Sequence, residues 1–124
     1  MYEFINSALL HDKRILVEEG IDGIEVECAV LGNDKPIASV IGEIVPANEF
    51  YDYEAKYASE DSLLYIPARL NDDIMKNIQD TAVRAYYALG CEGMSRVDFF
   101  VRKSDNKILL NEVNTCLLYT SRCV

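Results

Sequence analysis

Arg96-Val97-Asp98-Phe99-Phe100-Val101, a polar interval, then Ile108-Leu109-Leu110-Asn111-Glu112-Val113-Asn114-Thr115 is the stretch that decides the fold. Two apolar runs flank Arg102-Lys103-Ser104-Asp105-Asn106-Lys107, the pattern of a β-hairpin with a longer loop. Strand side chains alternate faces, so Arg96 and Asp98 share one face of the first strand, and Glu112 and Asn114 share one face of the second. Simple alternation extends the Glu112 face through Leu110 and Ile108, and the Asp98 face through Phe100. The opposite faces carry Val97, Phe99, Val101, Leu109 and Val113. Apolar residues on both sides predict charges held at the end of a buried sheet, where they need partners or a metal. Two carboxylates and an amide are hard oxygen donors of the kind Mg²⁺ accepts beside phosphates, and an arginine suits a phosphate or a developing oxyanion. The competing reading is a solvated polar edge, the ordinary place for Asp, Glu and Arg.

Outward from the hairpin, Asn71–Gly90 reads as a helix. Asn71 suits the N-cap, Asp72 and Asp73 the first turn, and Gly90 the position just past the end. Ile74, Ile78, Ala82, Ala85 and Leu89 form one apolar stripe, a core face. Upstream, Arg14–Glu19, Ile24–Leu31 and Ile37–Val45 read as a three-stranded antiparallel meander separated by Gly20, Asp22-Gly23 and Gly32–Pro36. In the middle strand Ile24, Val26 and Cys28 face one way and Glu25 and Glu27 the other; Glu43 in the third strand receives no role. Residues 4–10 are a short helical piece. Glu49–Pro67 has no period and no glycine, and it holds four of the eight tyrosines. A segment of that length within a domain is either a functional lid or a packed surface loop. The whole is an α+β chain, an antiparallel sheet with packed helices.

Half the 124 residues are hydrophobic, enough to build a core in one domain or part of one. The formal net charge of −9, without a basic block, argues against nucleic acid and anionic membrane surfaces as partners. No apolar run reaches the length of a membrane span. Cys28, Cys91, Cys116 and Cys123 have no metal-ligand spacing and read as reduced thiols, Cys28 as core packing; the single His11 reads as a surface residue.

Five segments in order carry a resemblance to a known family: Leu16-Val17-Glu18-Glu19 with Gly23-x-Glu25-Val26; Phe50-Tyr51-Asp52-Tyr53-Glu54-Ala55-Lys56-Tyr57; Ile66-Pro67-Ala68; Leu89-Gly90-Cys91-x-Gly93-x-x-Arg96-Val97-Asp98; and Leu110-Asn111-Glu112-Val113-Asn114-Thr115. Together they resemble the C-terminal half of the D-alanine–D-alanine ligases, part of an ATP-grasp domain. The resemblance implies that Glu18 binds the adenine amino group while the Glu19–Ile21 backbone reads the ring edge. It implies that Glu25 holds the ribose hydroxyls and Lys56 the γ-phosphate. Asp98, Glu112 and Asn114 would hold two Mg²⁺ (or Mn²⁺) ions, and Arg96 would stabilise an acyl phosphate and a tetrahedral intermediate. The implied substrates are ATP and D-alanine, joined through a D-alanyl phosphate for peptidoglycan precursors, in a cytoplasmic homodimer. Tyr57 at the loop position goes with D-alanine, in preference to D-lactate, as acceptor.

Other ATP-grasp ligases would share Arg96, Asp98, Glu112 and Asn114 without the Tyr53–Tyr57 run, and a non-catalytic nucleotide-binding module would keep the fold but lose metal ligands. The resemblance also has departures. The family's N-terminal half has no counterpart here, and Asn114-Thr115 is followed by Cys116-Leu117-Leu118-Tyr119 in place of a Pro-Gly turn. These features predict a partial ATP-grasp domain over residues 1–115, a non-native tail over 116–124, and no turnover by the chain alone.

Overall fold

A computed structural model describes residues 2–45 and 63–116, with the side chains of Tyr2 and Glu3 excepted. Its elements are α1 (Tyr2–Leu9), β1 (Gly23–Leu31), β2 (Ile37–Ala38), β3 (Gly42–Val45), β4 (Leu63–Tyr65), α2 (Asp72–Ala88), β5 (Met94–Arg102) and β6 (Ile108–Asn114). The strands form one antiparallel sheet in the order β4-β3-β1-β5-β6, with β2 also paired to β1. The expected α+β class with an antiparallel sheet is what forms.

Alternation in β1 and β5 sends Val26, Cys28, Val30, Val97, Phe99 and Val101 to one face, where all are buried. Helix α2 covers that face with Ile78, Ala82 and Tyr86. The helix starts as expected, with Asn71 Oδ1 accepting from the Ile74 amide at 2.9 Å. Its stripe ends differently. Leu89 is the C-cap and is exposed, while Tyr86 takes the core position and donates its hydroxyl to the Gly32 carbonyl at 2.8 Å. Gly90, at φ +62°, provides the left-handed turn after the helix. Cys28 is buried in the core, and His11 is exposed. Among the described residues the backbone of α1 approaches none of the strands, and Phe4 is exposed.

The meander expected over residues 14–45 is corrected in two places. Arg14–Glu19 forms no strand. A strand needs a ladder partner, and the edges of β1 are already taken by β5 on one side and by β2 and β3 on the other. Ile37–Val45 is two strands, because one extra residue interrupts the pairing between Ala38 and Gly42. At the break Ser39 Oγ accepts from the Ala29 amide at 3.0 Å in place of a backbone carbonyl, and Ile41 turns into the core. The loop expected over Glu49–Pro67 contains β4 at its end, where Leu63–Tyr65 pair with Val45–Glu43. The rest of that stretch, with Lys56 and Tyr57, lies outside the described residues, as do residues 117–124.

Candidate functional site

The hairpin β5–β6 forms as expected, but its pairing carries a bulge. Asp98 pairs with Glu112 and Phe99 with Leu110, so Asn111 stands opposite no single residue. One extra residue reverses the alternation. Ile108, Leu110 and Val113 therefore fall in register with Val101, Phe99 and Val97 on the helix-covered face. Glu112 and Asn114 face the other way, with Asp98 and Arg96. The expected continuation of the Glu112 face through Leu110 and Ile108 is thus replaced: on this face the polar groups are followed by Phe100 and Leu109, Phe100 pairing with Leu109 on one side and with Glu25 on the other. Among the described residues no helix covers that face, and Glu112 is exposed, so these charges do not sit between two apolar layers.

On this open face three carboxylates line up across three strands, since Glu27 of β1 pairs with Asp98 of β5, and Asp98 with Glu112 of β6. Like charges directly opposite destabilise a sheet unless cations or donors intervene. Here they intervene from the adjacent row, Ala29–Arg96–Asn114. Arg96 grips Asp98 with both ends of its fork, Nε to Oδ1 at 2.8 Å and Nη2 to Oδ2 at 2.8 Å. Its Nε also lies 3.4 Å from Glu27 Oε2. Asn114 Nδ2 bridges the other two acids, donating to Asp98 Oδ2 at 3.0 Å and to Glu112 Oε1 at 3.2 Å. Ala29, the small residue opposite Arg96, leaves space for the guanidinium.

The environment tunes these groups unequally. Asp98 is 4% exposed. Hydrogen bonding to it raises the Arg96 pKa above its ordinary value, so the guanidinium is charged throughout the accessible range. Burial raises the Glu27 carboxyl, Arg96 opposes the shift, and Asp98 adds to it.

The sites expected upstream are placed apart from this cluster in the sequence and along the sheet. Glu18 and Glu19 are exposed in the segment leading to β1, and Ile21 is half-buried. That segment is tied to the hairpin turn: Lys103 donates through its amide to the Asp22 carbonyl at 3.0 Å and through Nζ to Asp22 Oδ1 at 2.7 Å. Glu19 is within electrostatic reach of Arg102. Glu25 is half-buried on the open face, one row beyond Glu27. Two acids were given no role by sequence reasoning. Glu27 was already on the face of Glu25 by alternation, but only the β1–β5 register aligns it with Asp98. Glu43 is buried and clasped by Arg69, through its amide at 2.9 Å, Nε at 3.1 Å and Nη2 at 2.6 Å.

The donors suit a hard cation in kind: two carboxylates, and an amide whose oxygen would face them after a half-turn. As arranged, however, both Asp98 oxygens already accept hydrogen bonds. Among the described residues no three His, Cys, Asp or Glu side chains stand ready to hold a metal.

An antiparallel sheet, one face under a helix and the other bearing a charged row with an arginine, matches the ATP-grasp C-terminal domain of D-alanine–D-alanine ligases. The family model described as D-ala D-ala ligase C-terminus matches residues 1–122, and the chain belongs to that family. It is 53% identical over 114 residues to a D-alanine–D-alanine ligase of Acetivibrio thermocellus, covering 92% of this chain and 30% of that protein. A D-alanine–D-alanine ligase of Ruminiclostridium cellulolyticum is 55% identical over 113 residues, covering 90% of this chain and 30% of that protein. Among solved structures, the D-alanine–D-alanine ligase of Coxiella burnetii superposes with a TM-score of 0.77 at 38% identity, over 92% of this chain and 28% of that one. The D-alanine–D-alanine ligase of Bacillus anthracis complexed with ATP gives 0.70 at 27% identity, over 92% and 36%. The D-Ala:D-Ser ligase VanG of Enterococcus faecalis gives 0.68 at 49%, over 79% and 28%. The chain thus spans about 30% of the length of these curated relatives. No helix of the described residues is long and apolar enough to cross a membrane.

Proposed function

We propose that this chain is the ATP- and metal-binding portion of a cytoplasmic, homodimeric D-alanine–D-alanine ligase, with residues 1–115 carrying the partial ATP-grasp domain. The observation that carries the proposal is the Arg96–Asp98–Glu112–Asn114 cluster on the open face of the sheet, in a chain of this family. The reaction would begin with attack of one D-alanine carboxylate on the γ-phosphorus of ATP. An oxygen–phosphorus bond forms as the bond to ADP breaks, giving D-alanyl phosphate. The amine of the second D-alanine then attacks the acyl carbon, loses a proton, and expels phosphate.

Each residue has a proposed part in this reaction. Asp98, Glu112 and Asn114 would hold Mg²⁺ (or Mn²⁺), two ions in all, whose chemistry is neutralisation of the ATP phosphates. Arg96 would set a permanent positive charge against the acyl phosphate and the oxyanion that follows it. Glu18, with the Glu19–Ile21 backbone, would receive the adenine, Glu25 the ribose, Lys56 the γ-phosphate, and Tyr57 the acceptor side of the cleft. Catalysis of this kind is mostly positioning and charge neutralisation.

The test has two arms. With ATP, Mg²⁺ and D-alanine, the 124-residue chain alone is expected to release no phosphate above background. Residues 1–115 grafted in place of the matching segment of the Acetivibrio thermocellus ligase are expected to restore D-alanine-dependent phosphate release. A graft that folds and binds ATP but never ligates D-alanine overturns the proposal. Preference for D-serine as acceptor, as the likeness to the Enterococcus D-Ala:D-Ser ligase allows, would change the second substrate alone.

A further inference from the structure

The metal reading leaves a contradiction on the open face. Asp98 is nearly buried, and both of its oxygens are engaged, by Arg96 on two bonds and by Asn114 on a third. The Arg96 fork faces both Asp98 oxygens, so a cation approaching Asp98 from that side displaces at least one of its bonds, while the half-turn that presents the Asn114 oxygen releases the third. A guanidinium only one-quarter exposed, released without another acceptor, would be left poorly solvated. The neighbouring strand supplies an acceptor. Glu27 stands directly opposite Asp98, and its Oε2 already lies 3.4 Å from Arg96 Nε, close enough for an ion pair but longer than the 2.8 Å bond to Asp98.

The next strand leaves Glu27 room to do this. Gly42 sits beside it on β3, and a Cβ at Gly42 would come within 3.3 Å of Glu27 Cγ and 3.5 Å of Oε1. The absence of a side chain there makes room for the Glu27 carboxylate over the sheet. Glu27 and Arg96 are each about one-quarter exposed, so their pairing is only partly screened by water.

Resting on the metal-site reading above, we propose that Glu27 is a positioning residue that takes the Arg96 guanidinium from Asp98 when a divalent cation binds. Glu27 frees the metal ligand and keeps Arg96 on the open face. Its contribution to cation binding therefore depends on Arg96. A direct ligand, or a carboxylate that merely adds negative charge, would contribute equally with and without the arginine.

A double-mutant cycle read by the electron paramagnetic resonance signal of free Mn²⁺ tests this in the full 124-residue chain. Glu27→Gln is expected to weaken Mn²⁺ binding about tenfold when Arg96 is present, and at most about threefold in the Arg96→Gln background, a coupling within the range that contacting pairs show. Should Arg96→Gln fail to fold, a second measurement follows the Arg96 Nε–H resonance by NMR during Mg²⁺ addition. In the wild-type chain the resonance is expected to shift and stay protected, and in Glu27→Gln to be lost to exchange with water. Equal losses in both arms of the cycle, or an Arg96 resonance that ignores Mg²⁺, overturn the proposal. A wild-type chain that binds no Mn²⁺ overturns the metal-site reading itself, and this inference with it.

Discussion

Glu43 shows how far a single side chain can depart from what its position in the sequence suggests. It lies in a strand beside glycine with no role legible in the sequence, yet it is 3% exposed and accepts three hydrogen bonds from Arg69, whose guanidinium stacks 4.0 Å from the Tyr65 ring. The pair joins β3 to the segment entering α2. Glu43→Gln keeps the shape but loses the charge-assisted bonds, and it is expected to cost about 2 kcal/mol, read by denaturant unfolding. The Arg69 side chain holds the Glu43 carboxyl below its ordinary pKa. A lowered folded-state value means that the unfolded chain binds the proton more readily. The stability is thus present above the ordinary carboxylate range and lost as pH falls through the lowered value. The difference in unfolding midpoint between wild type and Glu43→Gln should accordingly be full near neutrality and shrink below about pH 4. A difference that does not change with pH would show that the charge of Glu43 contributes nothing.

At the scale of elements, the bulge at Asn111 decides which residues meet. Without it, the apolar half of β6 and the polar half would share a face, and either Ile108 would leave the core or Glu112 would leave Asp98. Deleting Asn111 forces that choice. We expect either a fall in thermal stability, from loss of Ile108 and Leu110 packing, or a loss of Mn²⁺ binding, from Glu112 and Asn114 turning into the helix-covered layer. A deletion variant that keeps both stability and Mn²⁺ affinity would show that the bulge is dispensable. Local chemistry explains the elements that sequence reading recovered. Asn71 and Gly90 bound α2 through cap geometry, and the turn Arg102–Lys107 closes through its own bonds, with Arg102 and Asp105 joined at 2.7 Å. The elements it misjudged depended on partners. Arg14–Glu19 has the composition of a strand, but β1, the next strand in the chain, is already paired on both edges, and the run from Ile37 to Val45 is interrupted where a serine hydroxyl replaces a carbonyl. Neither effect has a signal in the local sequence.

Across the whole molecule the sheet is asymmetric. One face is closed by α2 over Val26, Val97 and Phe99, and the other presents the row Glu27–Asp98–Glu112. A ligand that binds this open face, and binds it only in the folded state, stabilises the fold by mass action. ATP with Mg²⁺ at ten times the dissociation constant should add about 1.4 kcal/mol and raise the unfolding midpoint by several degrees, measured by scanning fluorimetry. No shift at millimolar nucleotide would count against the proposed site. The exposed Leu16 and Val17 flank the acids proposed to receive the adenine, so the same experiment with adenosine alone would separate base binding from phosphate binding.

The sequence by itself determined the hairpin, the helix and its caps, the two polar pairs of the site, and membership of a family through ordered segments. Each of these rests on interactions between residues near in the chain, or on side-chain types that carry their chemistry wherever they are placed. Only the tertiary structure decided that Asn111 is extra, that Glu27 lines up with Asp98, that Arg96 occupies the carboxylate a cation would need, and that Glu43 is buried. Register and burial belong to pairs of strands. One residue more or less in either strand moves every side chain to the opposite face, while the local sequence reads much the same.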